Sequence, residues 1–247
     1  HIMPINKSAD GSVRKLSKRK DSEATMSYYQ ESGYTKEAVL AYLYRLANPN
    51  FDDWWHAGNR DINKYELDLE AMKRNSRGPL LDFKKLDDIS SDVIASRTAD
   101  DAAKELLEWS SKYDAELCDV ISKDVNYLTK VLNIERETDN PRKDIVRYGV
   151  ARDSLSYFFD ELFVPVQVDQ DLKNRMRAQL SDDSLYGNSM SLDDWIERVK
   201  SIASAVAPDM KFGAFMMELR RAITGKDRTP NMYYLFEVLG KERILKR

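Results

Sequence analysis

From residue 22 onward the chain is patterned for helix: apolar residues recur every three or four positions and polar residues fill the gaps. In TKEAVLAYLYRLA, Val39, Leu43 and Leu46 fall on one stripe, and Thr35 is placed to cap the start. In DAELCDVISKDVNYLTKVL, Leu117, Ile121, Leu128 and Val131 lie on nearly one stripe. Thr98 with Asp101 makes a capping-box-like start for DDAAKELLEWSSKY. Ser191 with Asp194 makes a second, and Met190 is placed to staple onto Trp195. IVRYGVARDSLSYFFDELF reads as one long helix and DINKYELDLEAM as a weaker one. Gly225 and Gly240 stand where helix C-termini need a left-handed residue.

The breaks are equally legible. NPNFDDWW interrupts one helix, and SRGPLLDFKKL predicts a Gly-Pro break followed by a short amphipathic turn. NIERETDNPRKD, residues 133–144, is the most polar interruption, and VPVQVD, residues 164–169, predicts a linker and subdomain boundary. Only HIMPINKSADGSV reads as extended, with Pro4 and ADGS suggesting a strand, a turn and a return strand. The pattern therefore predicts an all-α, solenoid-like stack with a short extended hairpin at the N-terminus.

Composition narrows the picture. Nine Gly and seven Pro in 247 residues are few for a sandwich or barrel with many tight turns. The single Cys118 excludes an internal disulfide and fits a reducing compartment. No apolar run approaches the roughly 20 residues that span a bilayer, and nothing at the N-terminus reads as a signal peptide. A cytoplasmic protein is expected, with no membrane partner.

Charge is unevenly distributed. Residues 1–20 hold Lys7, Arg14, Lys15, Lys18, Arg19 and Lys20 against Asp10, a balance of +5. Residues 211–247 hold nine Lys/Arg against four Asp/Glu, again +5. With −3 overall, the 190 residues between carry −13. Such a field opposes general polyanion binding and permits it at two local patches.

Most chemical candidates fall away. Two His and one Cys make no metal-ligand set. Asp52/Asp53 and Asp193/Asp194 read as helix-start charges rather than acid/base pairs. No phosphate-binding or dinucleotide-binding glycine motif occurs, so the chain carries no complete nucleotide pocket. Tyr28/Tyr29 and Tyr233/Tyr234 have the faces to stack on bases, but aromatics at helical spacing are more often core. There remains RKLSKRK, residues 14–20, in which five of seven residues are cationic. It is either a solvated basic loop or a phosphate clamp. A clamp needs mobile ammonium groups two or three residues apart, a small hydroxyl between them and a flexible approach. Lys15, Lys18, Ser17 and Gly11 meet those needs.

The order of residues favours the clamp. KLSKR, entered through DGS and followed by a helical stretch containing YY, GY, EAVL and RLA, resembles the KMSKS loop and following helices of bacterial glutamyl-tRNA synthetases. ITGKDRTPN with LGKERILKR resembles that family's C-terminal signature, and RGPLLDFKKLDDIS is similar to a segment between its stem-contact helices. The matches run in order along essentially the whole chain. Glutaminyl enzymes share KLSKR but read the anticodon with β-barrels, for which no pattern exists here. The family's nucleotide-binding domain, with its HIGH-type motif, precedes KMSKS and has no counterpart in these residues.

The resemblance implies a division into a KMSKS-loop remnant (1–21), a helical stem-contact and anticodon-binding subdomain (22–164) and a C-terminal helical anticodon-binding cage (165–247). It implies an enzyme that joins glutamate to tRNA(Glu) through a glutamyl-adenylate, using ATP and Mg²⁺, with no cofactor held by this chain itself. A monomer acting with an N-terminal catalytic domain is expected, and this chain alone is expected to be inactive. Lys18 matches the motif's catalytic lysine, which would follow the departing pyrophosphate, while Lys15 and Ser17 would shape the loop and share the ATP phosphates. Anticodon contact would fall to Arg220, Thr229, Pro230 and Met232. After Pro230 the chain reads NMYY, away from the family's usual residues, which loosens the assignment of Met232. Arg142, with Arg136 as the alternative, would read the third anticodon base. A stand-alone helical tRNA- or protein-binding module, or a helical scaffold, are the other readings.

Overall fold

The computed structural model describes residues 4–9, 11–58, 61–72, 78–187 and 189–247. Asp10 of the predicted turn, Ser76 and Arg77 of SRGPLLDFKKL, and His1 to Met3 lie outside them. The described residues are overwhelmingly helical, with one two-stranded hairpin, as the pattern predicts. They pack as two compact units: residues 1–118 with 136–151, and residues 119–135 with 152–247.

The first unit opens with the hairpin. Strand β1 (Asn6–Ala9) pairs antiparallel with β2 (Ser12–Lys15), so that Lys7 faces Arg14 across the ladder. Gly11 takes a φ of 75° in the turn, which a two-residue hairpin connection requires. On its other edge Asn6 is held by chain beyond the hairpin: its amide donates to the Pro79 carbonyl and its carbonyl accepts from the Leu81 amide, each at 2.8 Å. Gly78 permits this approach, since a Cβ there would stand 2.3 Å from the Pro4 carbonyl oxygen.

Helix α1 (Met26–Glu31) and helix α2 (Lys36–Ala47) follow the hairpin. Thr35 caps α2 as predicted, its hydroxyl accepting from the Ala38 amide at 3.1 Å. The buried stripe differs from the predicted one. Ala38, Val39, Ala41 and Tyr42 face inward, and Leu43 is 40% exposed. The Tyr42 ring fills the core, and its hydroxyl accepts from the Asp82 amide at 2.6 Å. NPNFDDWW is not a simple break. Phe51–His56 forms helix α3, with Asp52 and Asp53 at its positive N-terminal end and Phe51 stacked on Trp55 one turn later. DINKYELDLEAM forms no continuous helix, only a 3₁₀ turn at Ile62–Lys64 and the short α4 (Leu69–Met72). Its cappers Asp61 and Asp68 bind backbone amides two or three residues on, a local alternative to helix.

The Gly-Pro break leads to a full helix rather than a turn. Helix α5 (Phe83–Ala95) starts at Asp82, which caps Lys85, and buries Leu86, Ile89, Val93 and Ile94. It packs along α2 and makes the main core of this unit. Thr98 and Asp101 open α6 (Ala99–Tyr113) with reciprocal hydrogen bonds, as predicted.

Leu117, Ile121, Leu128 and Val131 are all buried, but on two helices. Helix α7 (Ala115–Ile121) ends before Asp124, whose carboxylate caps the new helix α8 (Val125–Asn133) at the Tyr127 amide, 2.9 Å away. Residues 134–144 run without helix, as expected. The expected long helix at 145–163 is instead a 3₁₀ turn (Tyr148–Val150), the short α9 (Ala151–Leu155) and a second 3₁₀ turn (Ser156–Phe158). Side chains take the carbonyls that would have continued it. Ser156 donates to Asp153, Tyr127 to Phe158, and Arg247 to Tyr157.

The second unit is completed by α10 (Gln170–Gln179), α11 (Leu192–Val206), α12 (Phe212–Thr224) and α13 (Met232–Lys246). Its core holds Met176, Trp195, Val199, Ile202, Phe215, Leu219, Leu235 and Phe236. Ser191 caps α11 at Asp194 as predicted. Gly225 ends α12 at φ 69°, and a Cβ there would stand 2.5 Å from the Val164 carbonyl oxygen, so residues 164–169 run inside this unit. Gly240 has φ 72° and ψ 164°, and divides α13 into two helical pieces.

Candidate nucleic-acid interface

The predicted site residues sit at three places. The first is the strand-to-turn segment after β2. Lys15 ends the strand, Ser17 lies in the connection, and Lys18, Arg19 and Lys20 occupy the turn. Lys15, Lys18, Arg19 and Lys20 are exposed, and their side chains have no hydrogen bond or ion pair among the described residues. The sequence reading counted these cations and missed the acid that follows them. Asp21 is 4% exposed and receives both Nη groups of Arg14 at 2.7 Å and the Ser17 amide at 2.9 Å. Lys7 reaches it at 3.4 Å and also binds Glu23. The Arg14 hydrogen bonds, followed by the one from Ser17, hold the Asp21 carboxyl well below the usual carboxylate range. Its position directly after the basic run was the available signal. The loop thus joins a hydrogen-bonded backbone to exposed positive side chains, a combination suited to a flexible anion such as polyphosphate.

The second place is the turn between α12 and α13. Arg220, in the last turns of α12, donates through Nε to the Thr229 hydroxyl at 3.0 Å, and that hydroxyl donates to the Pro230 carbonyl at 3.0 Å. The two Nη groups of Arg220 have no partner among the described residues. Two neighbouring cations are engaged, Arg221 by Asp227 and Glu218, and Lys226 by Asp153. Pro230 and Met232 are buried, and Asn231 caps α13 by accepting from the Tyr233 amide at 3.0 Å. Arg220, Thr229 and Pro230 are therefore brought together, with Met232 anchoring the helix start behind them. A guanidinium held at Nε and open at its Nη edge presents a planar donor pair of the kind that reads a base edge. Tyr233 and Tyr234 pack edge-to-face on each other, and Tyr28 and Tyr29 do likewise, so neither pair is a free stacking platform.

The third place is the 136–147 segment of the first unit. Arg136 folds back on the C-terminal end of α5 and donates through Nη1 to the carbonyls of Ile94 at 2.7 Å and Arg97 at 3.1 Å. Arg142 donates through Nε to Asp144 at 2.6 Å. Its side chain is 11% exposed, and its Nη1 is buried with no hydrogen-bond partner among the described residues. Lys143 to Asp92 and Arg147 to Asp87 pin the same segment to α5.

Among the described residues no group of three or more His, Cys, Asp or Glu is arranged to hold a metal ion. None of their helices is long and apolar enough to cross a membrane.

Comparison with known proteins gives these places a context. Residues 153–247, which include the whole α12–α13 turn, match the anticodon binding domain family. The full chain is 31% identical to a glutamate–tRNA ligase of Clostridium perfringens, covering 49% of that protein. It is likewise 31% identical to one of Acetivibrio thermocellus, covering 48%. The chain thus spans about half the length of the curated relatives it matches. In three dimensions it aligns over its full length with 49% of a crystallised glutamate–tRNA ligase from Elizabethkingia meningosepticum, with a TM-score of 0.58 at 17% identity, a likeness of fold. From end to end, then, the chain is similar to about half of bacterial glutamate–tRNA ligases, and its residues 153–247 match the anticodon binding domain family.

Proposed function

We propose that this chain is the tRNA-binding, anticodon-recognition portion of a glutamate–tRNA ligase, which attaches glutamate to tRNA(Glu) by way of a glutamyl-adenylate made from ATP. The observation that carries the reading is the Arg220–Thr229–Pro230 chain inside the matched domain, with the Nη edge of Arg220 unengaged. Thr229 and Pro230 fix the guanidinium plane, and the plane offers paired donors to an unstacked anticodon base. Met232 would support the turn from beneath. Arg142 is our candidate for the third anticodon base: its unpaired Nη1 leaves it under-satisfied where it lies. Arg136, committed to the end of α5, is the weaker choice. Functionally, residues 1–21 would form the phosphate loop, 22–164 a stem-contact and anticodon-binding region that includes Arg142, and 165–247 the C-terminal anticodon cage.

The loop residues fit the phosphates of ATP. Lys18 would follow the charge that grows on the departing pyrophosphate, with Lys15 and Ser17 shaping the approach. ATP supplies the activation that makes glutamate reactive, and Mg²⁺ would arrive with its phosphates rather than on ligands of this chain. The enzyme would work in the cytoplasm as a monomer, with a catalytic domain outside these residues. End-to-end similarity to half a ligase favours this reading over a stand-alone module.

The test is tRNA retention by the 247-residue chain across a salt series. Binding to tRNA(Glu) should be detectable at low salt. The log of affinity should fall with log salt by roughly 0.7–0.9 per phosphate neutralised. No retention at any salt contradicts the proposal.

A further inference from the structure

The charge of the first twenty residues is arranged around Asp21. Its carboxylate takes Arg14 through two hydrogen bonds of 2.7 Å, the Ser17 amide at 2.9 Å and Lys7 at 3.4 Å. Its own amide returns to the Ser17 carbonyl at 2.8 Å, which also accepts from the Lys20 amide at 3.1 Å. Residues 17–21 are thereby closed into a ring, tied by Arg14 and Lys7 to facing positions of the hairpin. Two of the six cations are drawn inward. The other four, Lys15, Lys18, Arg19 and Lys20, keep exposed side chains without a partner among the described residues. Four like charges within six residues would spread an untethered loop. Here one buried carboxylate holds the backbone closed and leaves the cationic tips free.

We propose that Asp21 is a positioning residue for the phosphate loop: it touches no phosphate, and it holds residues 14–21 in the closed form from which Lys18 engages a polyphosphate. This rests on the reading of Lys15, Ser17 and Lys18 as phosphate ligands. The role has a signature that simple charge does not share. A carboxylate beside an anion site repels the anion, so Coulomb's law alone makes Asp21→Asn bind polyphosphate more tightly. Loss of positioning makes it bind more weakly, because the loop must then be ordered at the expense of binding free energy.

The experiment is titration of the 247-residue chain with inorganic tripolyphosphate at low ionic strength, read from the backbone amide resonances of residues 14–21. In the wild-type chain the Ser17 and Lys18 amides are expected to shift and saturate. Lys18→Ala should weaken the apparent affinity about tenfold and Asp21→Asn about fivefold, while amides of α2 and α5 stay in place. Asp21→Glu, which keeps the charge and both acceptor oxygens, should bind within about threefold of wild type. Asp21→Asn binding as tightly as wild type, or more tightly, overturns the positioning role. Absence of any shift at residues 14–21 in the wild-type chain overturns the phosphate reading itself, and the positioning role with it.

Discussion

The Arg220 Nε–H points at the Thr229 hydroxyl, 3.0 Å away across the α12–α13 turn, and so sets the plane of the guanidinium. Removing the hydroxyl in Thr229→Val should release that plane without removing the charge. The expected loss of tRNA affinity is about 1 kcal/mol, the worth of one such hydrogen bond. In an Arg220→Ala background the same substitution should cost almost nothing, because the group it positions is gone. A double-mutant cycle on tRNA binding measures this coupling, and additive losses would show that the two residues act separately.

Arg136 and Arg142 should separate cleanly. Arg136 satisfies carbonyls at the C-terminal end of α5. Arg136→Ala should therefore lower unfolding stability by about 2 kcal/mol, from charge-assisted hydrogen bonds and the helix-end charge. Any loss of tRNA binding should not depend on the anticodon. Arg142 keeps a buried, unpaired Nη1, so its removal should cost stability less than about 1 kcal/mol. Its loss of tRNA affinity should vary with the third anticodon base. Urea unfolding and binding to tRNAs differing at that base check both statements. A stability loss at Arg142 with uniform affinity would make it a structural residue.

Gly33 is held between α1 and α2 at φ 83°, and a Cβ there would stand 2.2 Å from the Gly149 amide nitrogen. Its carbonyl accepts from the Tyr148 amide at 2.9 Å. Gly33→Ala therefore combines a left-handed backbone with overlap against main chain. A destabilisation of more than about 2 kcal/mol is expected, since neither strain can relax through a rotamer. Thermal and urea unfolding read it directly, and a loss under about 1 kcal/mol would mean the 148–150 turn does not pack as described.

Acid should loosen the loop of residues 14–21. The Asp21 carboxyl is held well below the usual range by Arg14 and then by Ser17, so its folded pKa is depressed. Its contribution is then fully present above about 3.9, the unfolded value, and is lost as pH falls through the folded one. A carboxyl-carbon NMR titration should give Asp21 a midpoint well below about 3.9. A midpoint at or above that value would mean the ring of residues 17–21 is open in solution.

Much of this was legible in the sequence. Helix starts at Thr35, Thr98 and Ser191 showed because a cap is a local device, set within three residues. The hairpin showed for the same reason. What did not show was decided by partners distant along the chain. Leu43 points outward because Tyr42 reaches Asp82, 40 residues away. The 145–163 stretch fails to continue as helix because Tyr127 and Arg247 take its carbonyls. At the site, residue order carried the cations of the loop and of the α12–α13 turn. It did not carry the pairing of Arg14 with Asp21, nor the burial of Arg142, because ion pairing depends on which side chains the fold brings together.

We propose that the C-terminal unit reads anticodon bases through Arg220. The most direct measurement is binding of the wild-type chain and of Arg220→Ala to a set of tRNAs identical except in the anticodon, with the stability of both proteins measured alongside. The account predicts that Arg220→Ala stays folded and loses about 1–3 kcal/mol of affinity for the tRNA(Glu) anticodon, the scale of one bidentate base contact, and much less for tRNAs in which the contacted base is replaced. An equal loss for every anticodon, or no loss at all, would contradict it.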